Sequence, residues 1–290
     1  MHETEVSFPD RIKAGLQYLL PQHAISRLIH WLARIEVPAV KNSLIRRFIQ
    51  RFDVDMSEAV EPDGTAYPCF NAFFTRTLRA ETRPIADGIK TIVSPVDGRV
   101  SQIGTINQAH ILQAKGRTFS VLELLAGNTA VAHAFTNGEF VTLYLSPRDY
   151  HRIHMPLDGH LGHMLYVPGR LFSVNPPTTR AVPNLFARNE RVAMIFESGA
   201  GPMGVVMVGA LNVGSIETVW AGEITPPHGT AVRSWEYRDD EVRLGKGAEL
   251  GRFNMGSTVI LLFSQKRINW KSTLVDGSIV RMGQVIGEMV

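Results

Sequence analysis

Ile25, Leu28, Ile29, Leu32 and Ile35 recur at helical spacing with Arg27, His30 and Arg34 between them, which predicts an amphipathic helix. Trp31 on this segment suits an interfacial boundary. A second helix is predicted from Ser43, a suitable N-cap, carrying Leu44, Ile45, Phe48, Ile49 and Phe52 opposite Arg46, Arg47 and Arg51. Pro38 separates the two. A short helix is predicted over residues 70–78, after the turn Pro62-Asp63-Gly64, and Arg83-Pro84 closes the N-terminal part. From Thr91 the periodicity changes. Short β-branched runs bounded by Gly, Pro and Asn predict strands at 98–106, 140–145, 192–196, 205–211, 215–220, 231–237, 257–263 and 278–286. The expectation is an α+β fold, with a helical segment (residues 1–78) followed by a mostly antiparallel β domain (residues 79–290).

Charge sharpens the reading of the helices. The net charge is +3, and residues 1–51 hold eight Lys/Arg against four acids, so the other 239 residues sum to −1. The basic character belongs to the N-terminal helices and not to a distributed nucleic-acid surface. Two readings follow: helices packed on the core, the commoner outcome of such patterns, or a basic amphipathic surface lying on anionic lipid. No apolar stretch reaches the length of a membrane span, and the polar, acidic start is unlike a signal peptide. Cys69 is the only cysteine, which excludes an internal disulfide, disfavours a cysteine-based metal site and fits a reducing compartment.

Three motifs compete for chemistry. Gly199-Ala200-Gly201-Pro202-Met203-Gly204 has the glycine spacing of a dinucleotide loop, but a strand-like run follows it and Pro202 interrupts it, so a hairpin is expected. His151, His154, His160 and His163 form two H-x-x-H pairs; Pro156 and Gly159 break the segment between them, and no metal is expected. Ser146-Pro147-Arg148-Asp149 resembles a helix start, so a helical turn would put His151 and His154 on one side. Gly256-Ser257-Thr258 sets a serine after an unshielded glycine carbonyl, ahead of an apolar run. Ser257 could attack Gly256 and cut the chain, or act as a hydrolase nucleophile with a histidine and Asp97; no G-x-S-x-G elbow is present.

The ordered elements Asn71-Ala72-Phe73-Phe74-Thr75-Arg76, Ser94-Pro95-Val96-Asp97-Gly98, Tyr144 through His154, Val208 through Gly214 and Phe253 through Val259 resemble the phosphatidylserine decarboxylase proenzymes. Met255 stands where the bacterial type has leucine, a volume-conserving exchange. The resemblance implies that His154, held by Asp97, deprotonates Ser257. The serine then attacks Gly256 to give an ester, elimination from the ester leaves dehydroalanine, and hydrolysis of this with loss of ammonia gives a pyruvoyl group at position 257, with a β chain 1–256 and an α chain 257–290. The pyruvoyl ketone, in place of metal or pyridoxal phosphate, would form a Schiff base with the substrate amine and take up the electrons released with CO₂, giving phosphatidylethanolamine. His151 is the expected proton donor to the product. The resemblance further implies a bilayer substrate, a peripheral location at the cytoplasmic face of the inner membrane, and membrane contact through residues 11–51. Homodimer formation stays open, and no nucleic-acid partner is expected. A pyruvoyl decarboxylase of a soluble amino acid, a serine hydrolase and a non-enzymatic lipid-binding protein are the alternatives.

Overall fold

The computed structural model describes residues 8–114, 117–211, 215–238, 241–256 and 258–290. Ser257 lies outside the described residues, as do Asn212, Val213 and Gly214 of the Val208–Gly214 motif. Four helices lead the chain: α1 (Phe8–Leu19), α2 (Gln22–Leu32), α3 (Pro38–Phe52) and the short α4 (Phe70–Phe74). The helix expected from Ser43 begins earlier, at Pro38, whose fixed φ and missing N–H suit a first helical position. It ends at Asp53, in the left-handed conformation at φ 53°. The helix expected over 70–78 stops at Phe74, and α1 is an addition to the sequence-based expectation.

The β domain is mostly antiparallel, as expected. Its largest sheet runs in the order Arg233–Glu236, Gly159–Val167, Arg191–Ser198, Gly201–Val208, Thr258–Phe263, Glu139–Tyr144, Gly98–Thr105, Ile279–Val280, with Arg243–Leu244 also pairing Gly159–Val167. Thr258–Phe263 is central, hydrogen-bonded to Glu139–Tyr144 on one side and Gly201–Val208 on the other, and all six of its residues are buried. An unbroken apolar run such as Val259-Ile260-Leu261-Leu262-Phe263 is what a strand covered on both faces requires. Residues 199–204 form the expected hairpin. The single strand expected over 278–286 is two, Ile279–Val280 and Val285–Met289, parted at Gly283, where φ is +85°.

A second sheet, in the order Gly222–Thr225, Ser215–Thr218, Glu249–Asn254, Arg152–His154, delivers the chain to Met255-Gly256, from which it crosses into the large sheet at Thr258. The helical turn expected after Ser146 is absent. Residues 146–149 close as a turn in which Asp149 Oδ2 accepts from the Ser146 amide and hydroxyl, both at 2.7 Å. The chain then extends through Arg152–His154 and Gly159–Val167, with His160 and His163 in the latter. In extended backbone, side chains three positions apart point to opposite faces, so His151 and His154 part company instead of sharing a side.

Candidate active site

Three motif segments close around Gly256. Asn254 Oδ1 accepts from Asn71 Nδ2 at 3.1 Å, and its amide donates to Ser215 Oγ, fixing the strand end just before Met255. Arg152 Nε donates to the Thr75 carbonyl at 2.9 Å, and Arg76 Nη2 to the Arg148 carbonyl at 3.1 Å, tying the α4 segment to residues 146–154. The Phe74 ring lies 4.1 Å from the His151 ring. Met255 has φ +89°, a conformation that in a non-glycine residue costs of order 1–3 kcal/mol. Strain therefore sits one residue before the Gly256–Ser257 bond. At Gly256 a Cβ would collide with Nε2 and Cδ2 of His151, so only glycine fits.

His151 is 1% exposed, and its Nδ1 is 2.7 Å from the Asp149 carbonyl. A carbonyl can only accept, so Nδ1 carries the proton and Nε2 presents a lone pair at Gly256. Burial, reinforced by the Arg76 cation and opposed by the Asp149 carbonyl, lowers its pKa to about 3. The imidazole is therefore neutral. A cavity of about 240 Å³ opens here, lined among others by Phe48 and Phe52 of α3, Phe74, His151, Met255 and Gly256. Its α3 wall belongs to a hydrophobic cluster built on Ile45, Phe70, Phe73 and Phe74, against which Met255 also packs.

His154 and Asp97 have other immediate partners. His154 Nδ1 is 2.8 Å from the Gly247 carbonyl and its Nε2 is 3.2 Å from the Tyr150 hydroxyl, which makes Nε2 the acceptor. Burial lowers its pKa, against the Gly247 carbonyl and the charges of Glu249 and Asp97. Burial pushes the Tyr150 phenol up to about 12, so the hydroxyl keeps its proton. Asp97 accepts from Arg83 Nε at 2.9 Å and Nη2 at 2.6 Å and from the Met282 amide at 2.8 Å. No hydrogen bond joins Asp97 to His154 among the described residues. The two are nevertheless neighbours: the His154 amide donates to the Pro95 carbonyl at 2.9 Å. Asp97 lines a separate polar cavity of about 340 Å³ with Arg76, Arg83, Arg148, Asp149 and Tyr150, so residues 149–151 form a wall between it and Gly256.

Sequence reasoning did not assign roles to Arg83, Tyr150, Phe74 or Asn254. Three of these four lie inside motif segments, and a signal for them was present; Arg83 lies outside, and nothing in its spacing to Asp97 points to a bidentate pair. A glycine set against a neutral histidine, at a cavity lined by aromatic residues of an N-terminal helix, gives a β-rich protein with a mostly apolar site beside residue 256. A sequence profile described as Phosphatidylserine decarboxylase matches residues 70–288, and one described as PSD matches residues 12–53. The chain is 59% identical to the phosphatidylserine decarboxylase proenzyme of Alkalilimnicola ehrlichii over 87% of its length and 88% of that protein. It is 50% identical to that of Methylococcus capsulatus over 97% and 98%, and 54% identical to that of Azotobacter vinelandii over 96% and 98%. The chain belongs to the phosphatidylserine decarboxylase family.

Proposed function

We propose that this protein is a self-processing decarboxylase that converts phosphatidylserine to phosphatidylethanolamine and CO₂, using a pyruvoyl group made from Ser257. The observation that carries the reading is Gly256, stripped of any Cβ and set against the His151 lone pair where the cavity opens. A planar carbonyl group at position 257 fits such a place, because the preceding residue contributes no side chain and the walls are apolar. A pyruvoyl group supplies an electron-accepting carbonyl for decarboxylation.

The chain's own residues do the rest. His154 is proposed as the base that takes the Ser257 proton, its Nε2 lone pair passing through or replacing the Tyr150 contact, with the Asp97 charge stabilising the imidazolium that results. Arg83 and the Met282 amide hold the Asp97 carboxylate in place. His151 is proposed to deliver the proton to the product. Since its resting form is neutral with Nε2 bare, it delivers a proton freshly taken from solvent or substrate rather than one it stores. Phe48, Phe52 and Phe74 line the cavity around it with apolar surface.

Inverted helices support the lipid substrate over a soluble amino acid. In α1 and α2 the polar Gln17, Gln22 and Ser26 are buried, while Leu16, Leu19, Leu28 and Trp31 are 58%, 82%, 55% and 61% exposed. Gln17 accepts from the Ser173 amide and Gln22 from the Leu171 amide, both at 2.8 Å, so it is the polar face that docks on the protein. An apolar face turned outward on α1 and α2, together with Arg46, Arg47 and Arg51 exposed on α3, suits an anionic lipid surface. No helix among the described residues is long and apolar enough to cross a membrane, so contact is proposed to be peripheral.

Intact mass and CO₂ release test the proposal together. Wild type is expected as chains of 256 and 34 residues (290 − 257 + 1), the shorter with a blocked, ketone-bearing N-terminus, and to release CO₂ from phosphatidylserine vesicles. Ser257→Ala is expected uncut and inactive. A cut, active Ser257→Ala protein would refute the pyruvoyl reading; turnover of free serine in place of vesicles would move the substrate to a soluble amino acid.

A further inference from the structure

Where α2 meets the β domain, three side chains from distant parts of the chain come together. They are His23 of α2, Glu190 just before Arg191–Ser198, and His228 just after Gly222–Thr225. One ligand atom of each lies within 4.8 Å of those of the other two, and the imidazole centroids are 4.7 Å apart at a tilt of 52°. Glu190 is 2% exposed and receives hydrogen bonds from the Tyr166 hydroxyl, from Thr225 Oγ1 at 3.1 Å and from His228 Nδ1 at 2.9 Å. With its oxygens so engaged, the carboxylate fixes the His228 tautomer: Nδ1 carries the proton and Nε2 the lone pair.

That lone pair has no partner. His228 Nε2 and His23 Nδ1 are both buried nitrogens without a hydrogen bond. The His23 ring is engaged instead by the Gly169 backbone. A single buried polar atom left unpaired costs about 1–3 kcal/mol, and here two lie in one small group. Both are imidazole nitrogens, the ligand type that zinc, copper, nickel and cobalt favour and that magnesium and calcium do not. A ligating histidine whose other nitrogen donates to a carboxylate is the usual support behind such an ion, and Glu190 with His228 has that arrangement.

We propose that His23 Nδ1 and His228 Nε2, with Glu190 orienting His228, bind one transition-metal dication of the zinc type. The ion joins α2 to the β domain. Gln22, the residue before His23, accepts from the Leu171 amide, and the segment beyond Leu171 supplies Ser173, Val174 and Asn175 to the wall of the Gly256 cavity. Metal at this site therefore stiffens one side of the cavity and fastens the helices that carry the outward apolar face. It takes no part in the chemistry at residue 257.

The test is equilibrium dialysis of the full, tag-free, metal-stripped protein in detergent against Zn²⁺ alone and Co²⁺ alone, with cobalt ligand-field absorption as a second readout. One saturable equivalent is expected, accompanied by a metal-dependent rise in melting temperature. His23→Ala and His228→Ala should each abolish both effects, Glu190→Gln should weaken binding about 10- to 100-fold, and His163→Ala should leave it intact. Absence of saturable binding by wild type overturns the proposal, and so does retention by His23→Ala. His23 is partly exposed on a helix surface, so that variant keeps the test decisive even if replacing buried Glu190 or His228 prevents folding.

Discussion

His151 and His154 are both buried histidines held neutral, and this ties the residue scale to pH. An unfolded histidine titrates near 6.5, while folded His151 does so at about 3. Between those values the unfolded chain binds the extra proton, so stability is fully present above about pH 6.5 and is lost as pH falls, by about 1.4 kcal/mol per unit for one such group. Urea midpoints at pH 7, 6 and 5 should therefore fall more steeply for wild type than for His151→Gln in a Ser257→Ala background; equal slopes would show that His151 is not the neutral group. The two proposed maturation residues are open to the same kind of test. His154→Ala should stay uncut and lose about 1–3 kcal/mol of stability, because it leaves the Gly247 carbonyl and the Tyr150 hydroxyl without their partner. Asp97→Asn should stay uncut and also lose stability, by about 1–3 kcal/mol, because it removes one of the two carboxylates paired with buried Arg83 and leaves Glu58 as the other. Normal processing by either variant, read by intact mass, would remove that residue from the maturation role. Gly256, Asp97, His151 and His154 stood out in the sequence as candidates because chemistry constrains residue type, and the structure sets Gly256 against His151 while Ser257 lies outside the described residues. Of their partners, Tyr150 stands inside a motif segment, whereas Arg83 and Gly247 reach them only through the fold, and hydrogen bonds to backbone carbonyls leave no mark on side-chain identity.

Periodicity identified α2 and α3 as amphipathic, yet it could not say which face turns inward. A 3.6-residue pattern carries no sign: the same stripe serves a core or a bilayer. The sign becomes visible only through Gln17 and Gln22, whose amides satisfy the backbone of residues 171–173, and through buried Asp10 paired with Arg180 at 2.8 Å. Strand positions were legible wherever both faces are covered, as at 258–263, and least so at 151–163, where proline, glycine and histidine suggested a broken helix and strand pairing with Glu249–Asn254 decided otherwise. The outward face makes a specific prediction. Leu19→Ser, Leu28→Ser and Trp31→Ser combined remove exposed apolar surface without touching a buried contact, so processing and melting temperature should hold while sedimentation with anionic vesicles falls at least about tenfold, the loss expected from roughly 1.4 kcal/mol. Unchanged sedimentation would assign this face to another partner, a second copy included. Deleting residues 1–51 is a poorer test, because Ile45 and Phe48 pack against Phe70, Phe73 and Phe74, and Phe48 lines the cavity.

Cutting after Gly256 would leave a 34-residue chain threaded through the whole molecule. Its first strand, Thr258–Phe263, is the middle of the large sheet; Ile279–Val280 pairs Gly98–Thr105 at the sheet's edge; Val285–Met289 joins Thr91–Val93 to Ile268–Trp270. Val259, Ile260, Leu261, Leu262 and Phe263 are all fully buried. At about 1.5–3 kcal/mol each, they hold the two chains together by on the order of 10 kcal/mol before any other contact is counted. Association should survive dilution and high salt, since little of it is ionic. The covalent change has a thermodynamic signature nonetheless. An uncut chain unfolds in a unimolecular transition, whereas a cut one unfolds to two molecules, so its midpoint must rise with protein concentration. Wild type should therefore show a concentration-dependent urea midpoint and Ser257→Ala a constant one. Leu261→Ala, which empties a central core position at a cost of about 2–5 kcal/mol, sharpens the contrast. In the uncut background it lowers the midpoint and leaves one folded species. In the cut protein it brings dissociation into the micromolar range, where size-exclusion chromatography resolves the freed chain. A wild-type midpoint that ignores concentration would mean the chain is not cut, or that the central strand does not hold its fragment in place.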